Sequence, residues 1–186
     1  MLVPIIAQKN LLIKLAYATE ENFTNQKIYQ NDPCFLHTEA HDRLMHAFEL
    51  AQGIGYGFKI FDAFRPVEAQ EKLWQICPNP MYVADPKRGS PHGRSIAVDL
   101  TLIDDQCQEI DMGTPFDSFD KTSHHCNLEI SPVAQRNRFI LLGIMMAAGF
   151  DLYKNEWWHY QLFNPLQYPL LKDNEAPVSL MKSSLF

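Results

Sequence analysis

Two short stretches carry side chains suited to holding a divalent cation. Residues 90–102 read Ser-Pro-His-Gly-Arg-Ser-Ile-Ala-Val-Asp-Leu-Thr-Leu, an imidazole on a turn running into a strand that bears a carboxylate. In an extended strand Ile96, Val98, Leu100 and Leu102 share one face, and Ala97, Asp99 and Thr101 the other. His92 lies an odd number of residues before Asp99, so a regular strand would send the two side chains apart. Pro91 and Gly93 bracket the histidine and predict the bend that lets them converge. The second stretch is Glu156-Trp157-Trp158-His159-Tyr160, whose aromatic density predicts a strand with Glu156 at its entrance. Two histidines and one carboxylate fill three positions of a tetrahedral zinc site and leave the fourth for water, the pattern of catalytic rather than structural zinc. Glu156 is then the acid left over to take that water's proton.

Elements must bring these groups together. Leu11–Ala18 alternates loosely and predicts a strand. From Thr38 to Gln52 the apolar residues Ala40, Leu44, Met45, Ala47, Phe48 and Ala51 recur at three and four, predicting a helix capped by Thr38 and stopped by Gly53. Residues 55–64 read as a strand, and Arg65-Pro66 marks a strand-to-helix junction before a short helix over Val67–Ile76. Such a junction sets Arg65 at the edge of a cleft, whereas Asp62 three residues earlier offers it a purely structural partner; both readings stand. Residues 77–89, with three prolines, form a loop, and Gln108–Met112 is a further strand candidate. Ser131-Pro132 opens a helix over Val133–Ala148 with an apolar stripe of Phe139, Ile140, Leu142, Gly143, Met146 and Ala147, closed by Gly149. The proline-punctuated tail after Asn164 is expected to wrap the surface. His37, His41 and His46 lie on or beside the first helix without a third ligand, and His124-His125 diverge as neighbours do, so neither group is taken as a metal site. Helices interspersed with short strands and hairpin-like connections predict an α+β fold, helices packed on a largely antiparallel sheet.

Composition narrows the function. At 186 residues the chain is expected to be one domain, burying roughly 70% of its unfolded surface. A net charge of −6, with no basic cluster longer than Lys87-Arg88, argues against nucleic acid as a partner. No apolar run reaches the length of a membrane span. Cys34, Cys77, Cys107 and Cys126 are scattered without a C-x-x-C pair, which fits free thiols in a reducing compartment. With no basic stretch ahead of the N-terminal apolar run, a cytoplasmic location is expected; a leader already removed would make it periplasmic.

Taken together, these stretches resemble the zinc D-alanyl-D-alanine dipeptidases of the VanX type. The matching segments are Tyr17-Ala18-Thr19 with Asn22-Phe23, Phe61 through Pro66, residues 90–102, Met112-Gly113 through Phe116-Asp117, Ser123-His124-His125, Asn137-Arg138 through Phe150, and Glu156 through Tyr160. They occur in the family's order over about residues 17 to 160. The resemblance implies a Hedgehog/D,D-peptidase-like zinc fold, one Zn2+ per chain on His92, Asp99 and His159, Glu156 as the catalytic acid/base and Arg65 stabilising the transition state. It further implies that Asp117 and Tyr17 hold the ammonium end of a small D,D-dipeptide and that Ser90 lies near the scissile group, with Asp62 also at the substrate site. Within the wider superfamily the alternative activity is a D,D-carboxypeptidase or endopeptidase acting on longer peptidoglycan peptides. A non-catalytic zinc-stabilised binding domain is the alternative of a different class, and the presence of both Glu156 and Arg65 speaks against it.

Overall fold

The computed structural model describes residues 1–182. In chain order its elements are β1 (Leu2–Pro4), β2 (Leu11–Ile13), β3 (Phe35–His37), α1 (Thr38–Gly53), β4 (Gly57–Asp62), α2 (Val67–Ile76), β5 (Ala97–Ile103), α3 (Pro132–Ala147), β6 (Asp151–Leu152) and β7 (His159–Gln161). A five-stranded sheet runs β2-β4-β5-β7-β6, and β1 with β3 forms a separate antiparallel pair. Only the β2–β4 pairing is parallel. The α+β architecture on a largely antiparallel sheet is therefore as expected.

β5 lies at the centre of the sheet and is buried along its whole length. On one of its faces Val98, Leu100 and Leu102 join the core with Ile60, Phe58 and Tyr160. α1 contributes to that core through Ala40, Leu44, Ala47, Phe48 and Ala51, the stripe that its sequence spacing predicts. Asp99 and Thr101 point the other way, and Asp99 lines the cavity described below.

Several elements depart from the sequence expectation. The strand expected over Leu11–Ala18 stops at Ile13, and Ala16–Ala18 form a 3-10 turn that buries Tyr17. His37, not Thr38, caps α1 by accepting from the Glu39 N–H, while the Thr38 hydroxyl donates to the Met1 carbonyl. Gly53 is the last helical residue, and the positive φ that ends the turn belongs to Gly55. The strand expected over Gln108–Met112 is reduced to a single bridge between Ile103 and Glu109. Of the strand expected over 156–160 only His159 and Tyr160 are extended, and Glu156 through Trp158 lie in the connection from β6 to β7.

The most instructive correction is in α3. Its buried face is Ala134, Arg138, Leu141, Ile144 and Met145, whereas Phe139 and Met146 of the expected stripe are 51% and 41% exposed. The inner face carries a charged residue, so counting apolar side chains turned the stripe away from it, although Ile140 and Leu142 still pack partly buried against the core. The tail is also more than a surface wrap. Leu166 is exposed, but Leu180 is fully buried, and the Asp173 carboxylate accepts from the backbone N–H groups of Leu180 and Met181. No helix among the described residues is long and apolar enough to cross a membrane.

Candidate metal centre and active site

Three strands place one row of polar side chains across the sheet. Asp99 on β5 is the register partner of His159 on β7 and of Asp62 on β4. The β4 partner arrives there only through a bulge between Ile60 and Asp62. Without that extra residue Asp62 would share the face of Phe58 and Ile60 and enter the apolar core; bulges beside functional sites re-aim side chains in this way. His92 joins the row from outside the sheet, on the 3-10 turn His92–Arg94. The Ser90 hydroxyl accepts from the His92 N–H at 3.2 Å, and Ser95 ends the turn in the left-handed region at φ 56°.

His92, Asp99 and His159 are all buried, and each offers a ligand atom within 4.8 Å of the others. His92 Nε2 lies 3.1 Å from His159 Nδ1, and Asp99 Oδ1 is 3.2 Å and 3.0 Å from them. The far nitrogens fix the tautomers. His92 Nδ1 donates to the Ala63 carbonyl at 2.7 Å, and His159 Nε2 donates to Gln161 Oε1 at 3.0 Å. The two nitrogens that face each other are thus the ones left to ligate, and with the carboxylate they make three ligand atoms converging on one point. A divalent cation between them would satisfy all three at once. Zinc bonds of about 2.0–2.1 Å in a tetrahedron separate adjacent donors by about 3.3 Å, so the donor set fits that ion with a shift of a few tenths of an ångström. The outer bonds to Ala63 and Gln161 are the supports that orient metal-binding histidines.

Around this trio lies a cavity of about 330 Å³ whose lining includes Arg65, Ser90, Asp117, Tyr17 and Glu156. Glu156 Oε2 stands 4.0 Å from His159 Nδ1. Burial, with Asp99 nearby, lifts its carboxyl from the ordinary value to about 7, although His159 and Arg65 pull the other way. Asp117 is lifted to about 8, first by burial and then by Asp99, and it accepts from the Tyr17 hydroxyl at 3.2 Å. Its other oxygen is buried without a partner. For Asp99 burial acts upward, but the charge of His92 and hydrogen bonds from both histidines hold the carboxyl well below the usual carboxylate range.

The two readings of Arg65 prove compatible. Its Nε and Nη2 bind Asp62 Oδ2 at 2.8 Å and 2.7 Å, and Nη2 also lies 3.7 Å from Asp99 Oδ2. Burial alone would lower its pKa, and Asp62 more than offsets this, so the guanidinium stays charged while it lines the cavity. The Tyr17 ring lies 4.9 Å beneath it. Asp62 itself is fully buried and faces Arg65 and Tyr29. It does not line the cavity, so it belongs to the support of Arg65 rather than to a substrate contact.

Residues that sequence reasoning did not single out hold this arrangement in place. Tyr29 donates to Asp62 Oδ1 at 2.9 Å, and Gln161 orients His159. Gln70 accepts from Arg65 Nη1 at 3.1 Å and donates to the Ala84 carbonyl in the loop that walls the cavity. The i to i+2 spacing of His159 and Gln161 on one strand face was the only signal in the sequence for any of them. Neither His124-His125 nor the histidines of α1 enter the metal-competent cluster found among the described residues. All four cysteines are free.

Residues 6–174 match the Peptidase M15 family, described as D-ala-D-ala dipeptidase. The D-alanyl-D-alanine dipeptidase of Escherichia coli K12 is 44% identical over 164 residues, covering 88% of this chain and 85% of that protein. The D-alanyl-D-alanine dipeptidase of Enterococcus faecium is 34% identical over 170 residues, 78% of this chain and 83% of that protein. Among solved structures, VanYB in complex with D-alanine-D-alanine aligns with a TM-score of 0.48 at 16% identity over 72% of this chain and 75% of the other. The chain belongs to the Peptidase M15 family.

Proposed function

We propose that this protein is a zinc-dependent dipeptidase that hydrolyses D-alanyl-D-alanine, or a closely similar D,D-dipeptide, to free D-amino acids. The observation that carries the reading is the convergence of three ligand atoms, from His92, Asp99 and His159, in a cavity that also holds Glu156 and Arg65. Those three residues would hold the zinc. The ion, when bound, supplies a Lewis acid that brings water ionisation to near neutrality. Glu156 takes the attacking water's proton and later returns it to the leaving amine, a double duty suited to a carboxyl poised near neutral pH. The Arg65 guanidinium, held by Asp62, faces the negative charge that develops on the carbonyl oxygen, where one such donor typically contributes about 10²–10³ in turnover. Asp117, whose second oxygen lacks a partner, receives the substrate's ammonium together with Tyr17. A blocked amino group would offer Asp117 neither a cation nor the full set of donors that its unpartnered oxygen lacks, which disfavours the carboxypeptidase alternative.

The test is to load the protein with zinc and follow free D-alanine released from D-Ala-D-Ala, N-acylated D-Ala-D-Ala and a longer muropeptide. Release from the free dipeptide alone is the expected result. Cleavage of the blocked substrate but not the free one would replace the dipeptidase with the carboxypeptidase.

A further inference from the structure

Among the described residues the Glu156 carboxyl accepts no hydrogen bond, and its one ion-pair contact is the long one to His159 Nδ1 at 4.0 Å. Its direction is therefore set by the backbone from which it projects. That backbone is a turn, not a strand, held by Glu156 N–H to the Tyr153 carbonyl, Trp157 N–H to the Ser123 carbonyl and His125 N–H to the Lys154 carbonyl. The side chain that fastens the turn is the next residue, Trp157, which is 2% exposed and whose indole N–H donates to Thr114 Oγ1 at 2.9 Å.

The hydrogen bonds around Thr114 run in one direction. Arg138 Nη2 lies 3.4 Å from the same threonine oxygen and, like the indole, can only donate. Both lone pairs of Thr114 are thus taken, so its own proton goes to Ser123 Oγ at 3.0 Å, and Ser123 donates onward to the Ser118 carbonyl at 2.8 Å. The chain starts beside Glu156 and ends beside Asp117. Behind it, the buried Arg138 meets no carboxylate within ion-pair distance among the described residues. Its remaining donors go to the carbonyls of Met112, Thr122 and His124, pinning the loop that carries Thr114 and Asp117 to α3.

We propose that Thr114 is a positioning residue for the reaction: through the Trp157 indole it fixes the turn that aims Glu156 at the attacking water. This rests on the reading of Glu156 as the proton acceptor. Displacing a catalytic group by a fraction of an ångström to 1 Å lowers the rate far more than it lowers substrate binding, so the loss belongs in kcat.

The test is Thr114→Val, which keeps the shape and removes the oxygen, beside Thr114→Ser, which keeps the oxygen. Thr114→Val should lower kcat about tenfold, with KM within about twofold and zinc content unchanged, and Thr114→Ser should recover most of the loss. In 1H–15N spectra the Trp157 indole proton should exchange with solvent faster in Thr114→Val than in the wild type or Thr114→Ser. In a Glu156→Gln background Thr114→Val should add less than about a twofold loss, because both changes act on one group. Wild-type kcat in Thr114→Val, or the same tenfold loss with Glu156 already removed, would overturn the proposal. Near-normal turnover by Glu156→Gln alone would sink the reading beneath it and the proposal together.

Discussion

Replacing Asp62 by asparagine tests the support on which the cavity's cation depends. The carboxylate is fully buried and accepts from Arg65 Nε, Arg65 Nη2 and the Tyr29 hydroxyl at 2.7–2.9 Å. Asparagine keeps the shape but loses the charge, and with its oxygen kept on Arg65 its amide reverses the bond to Tyr29, whose hydroxyl must then accept. Removing one partner of a buried pair generally costs about 3–5 kcal/mol, because the remaining charge stays buried. Here Asp99 lies 3.7 Å from the same guanidinium and retains part of its compensation, which places the expected loss near the lower end, about 3 kcal/mol. Against a domain stability of about 5–15 kcal/mol that is a large fraction. Urea unfolding of the metal-free protein measures it as a lower midpoint at unchanged slope. Arg65→Met alone should be similarly destabilised, and the double variant should lose clearly less than the two single losses combined, since removing both charges leaves neither stranded. A loss below about 1 kcal/mol for Asp62→Asn, or strict additivity in the cycle, would refute the idea that Asp62 is what keeps the buried guanidinium in place.

Other expectations are more direct. Glu156→Gln should retain zinc by elemental analysis and lose at least about 10²-fold in turnover, the size expected when a general base is removed. Burial and the neighbouring Arg138 lower His125 to about 4, so between its unfolded value near 6.5 and about 4 the unfolded chain binds the extra proton. This contribution is present above pH 6.5 and is lost as pH falls toward 4. Discounted for partial exposure it amounts to about 2 kcal/mol, read as the difference in acid unfolding between the wild type and His125→Asn. Leu180→Ala should cost about 2–4 kcal/mol by chemical denaturation, because the side chain is fully enclosed; a change below about 1 kcal/mol would return the tail to the surface.

Much of this arrangement was legible in the sequence because it rests on local rules. The bend at Pro91-His92-Gly93 and the face of Asp99 follow from backbone parity, and α2 occupies the ten residues that the Arg65-Pro66 junction predicts. Readings failed where a distant partner overrides a local pattern. Residues 156–158 have strand-like composition, yet two tryptophans find separate niches, one against Thr114 and one against Phe116, and the chain turns between them. Arg138 counts as polar along the helix, but its guanidinium answers carbonyls contributed by residues 112–124. The bulge that turns Asp62 toward Asp99 leaves no composition signal, because it exists only in the pairing of β4 with β5.

The turn bearing His92 is backed by polypeptide that comes much later. The Leu171 N–H donates to the Gly93 carbonyl, Arg94 binds the Tyr168 carbonyl, and Leu170 lies against Gly89 and Gly93. During synthesis, His92, Asp99 and His159 all leave the ribosome before that backing does. A chain that stops short of residue 171 therefore lacks the brace for its first imidazole even when His92, Asp99 and His159 are all present.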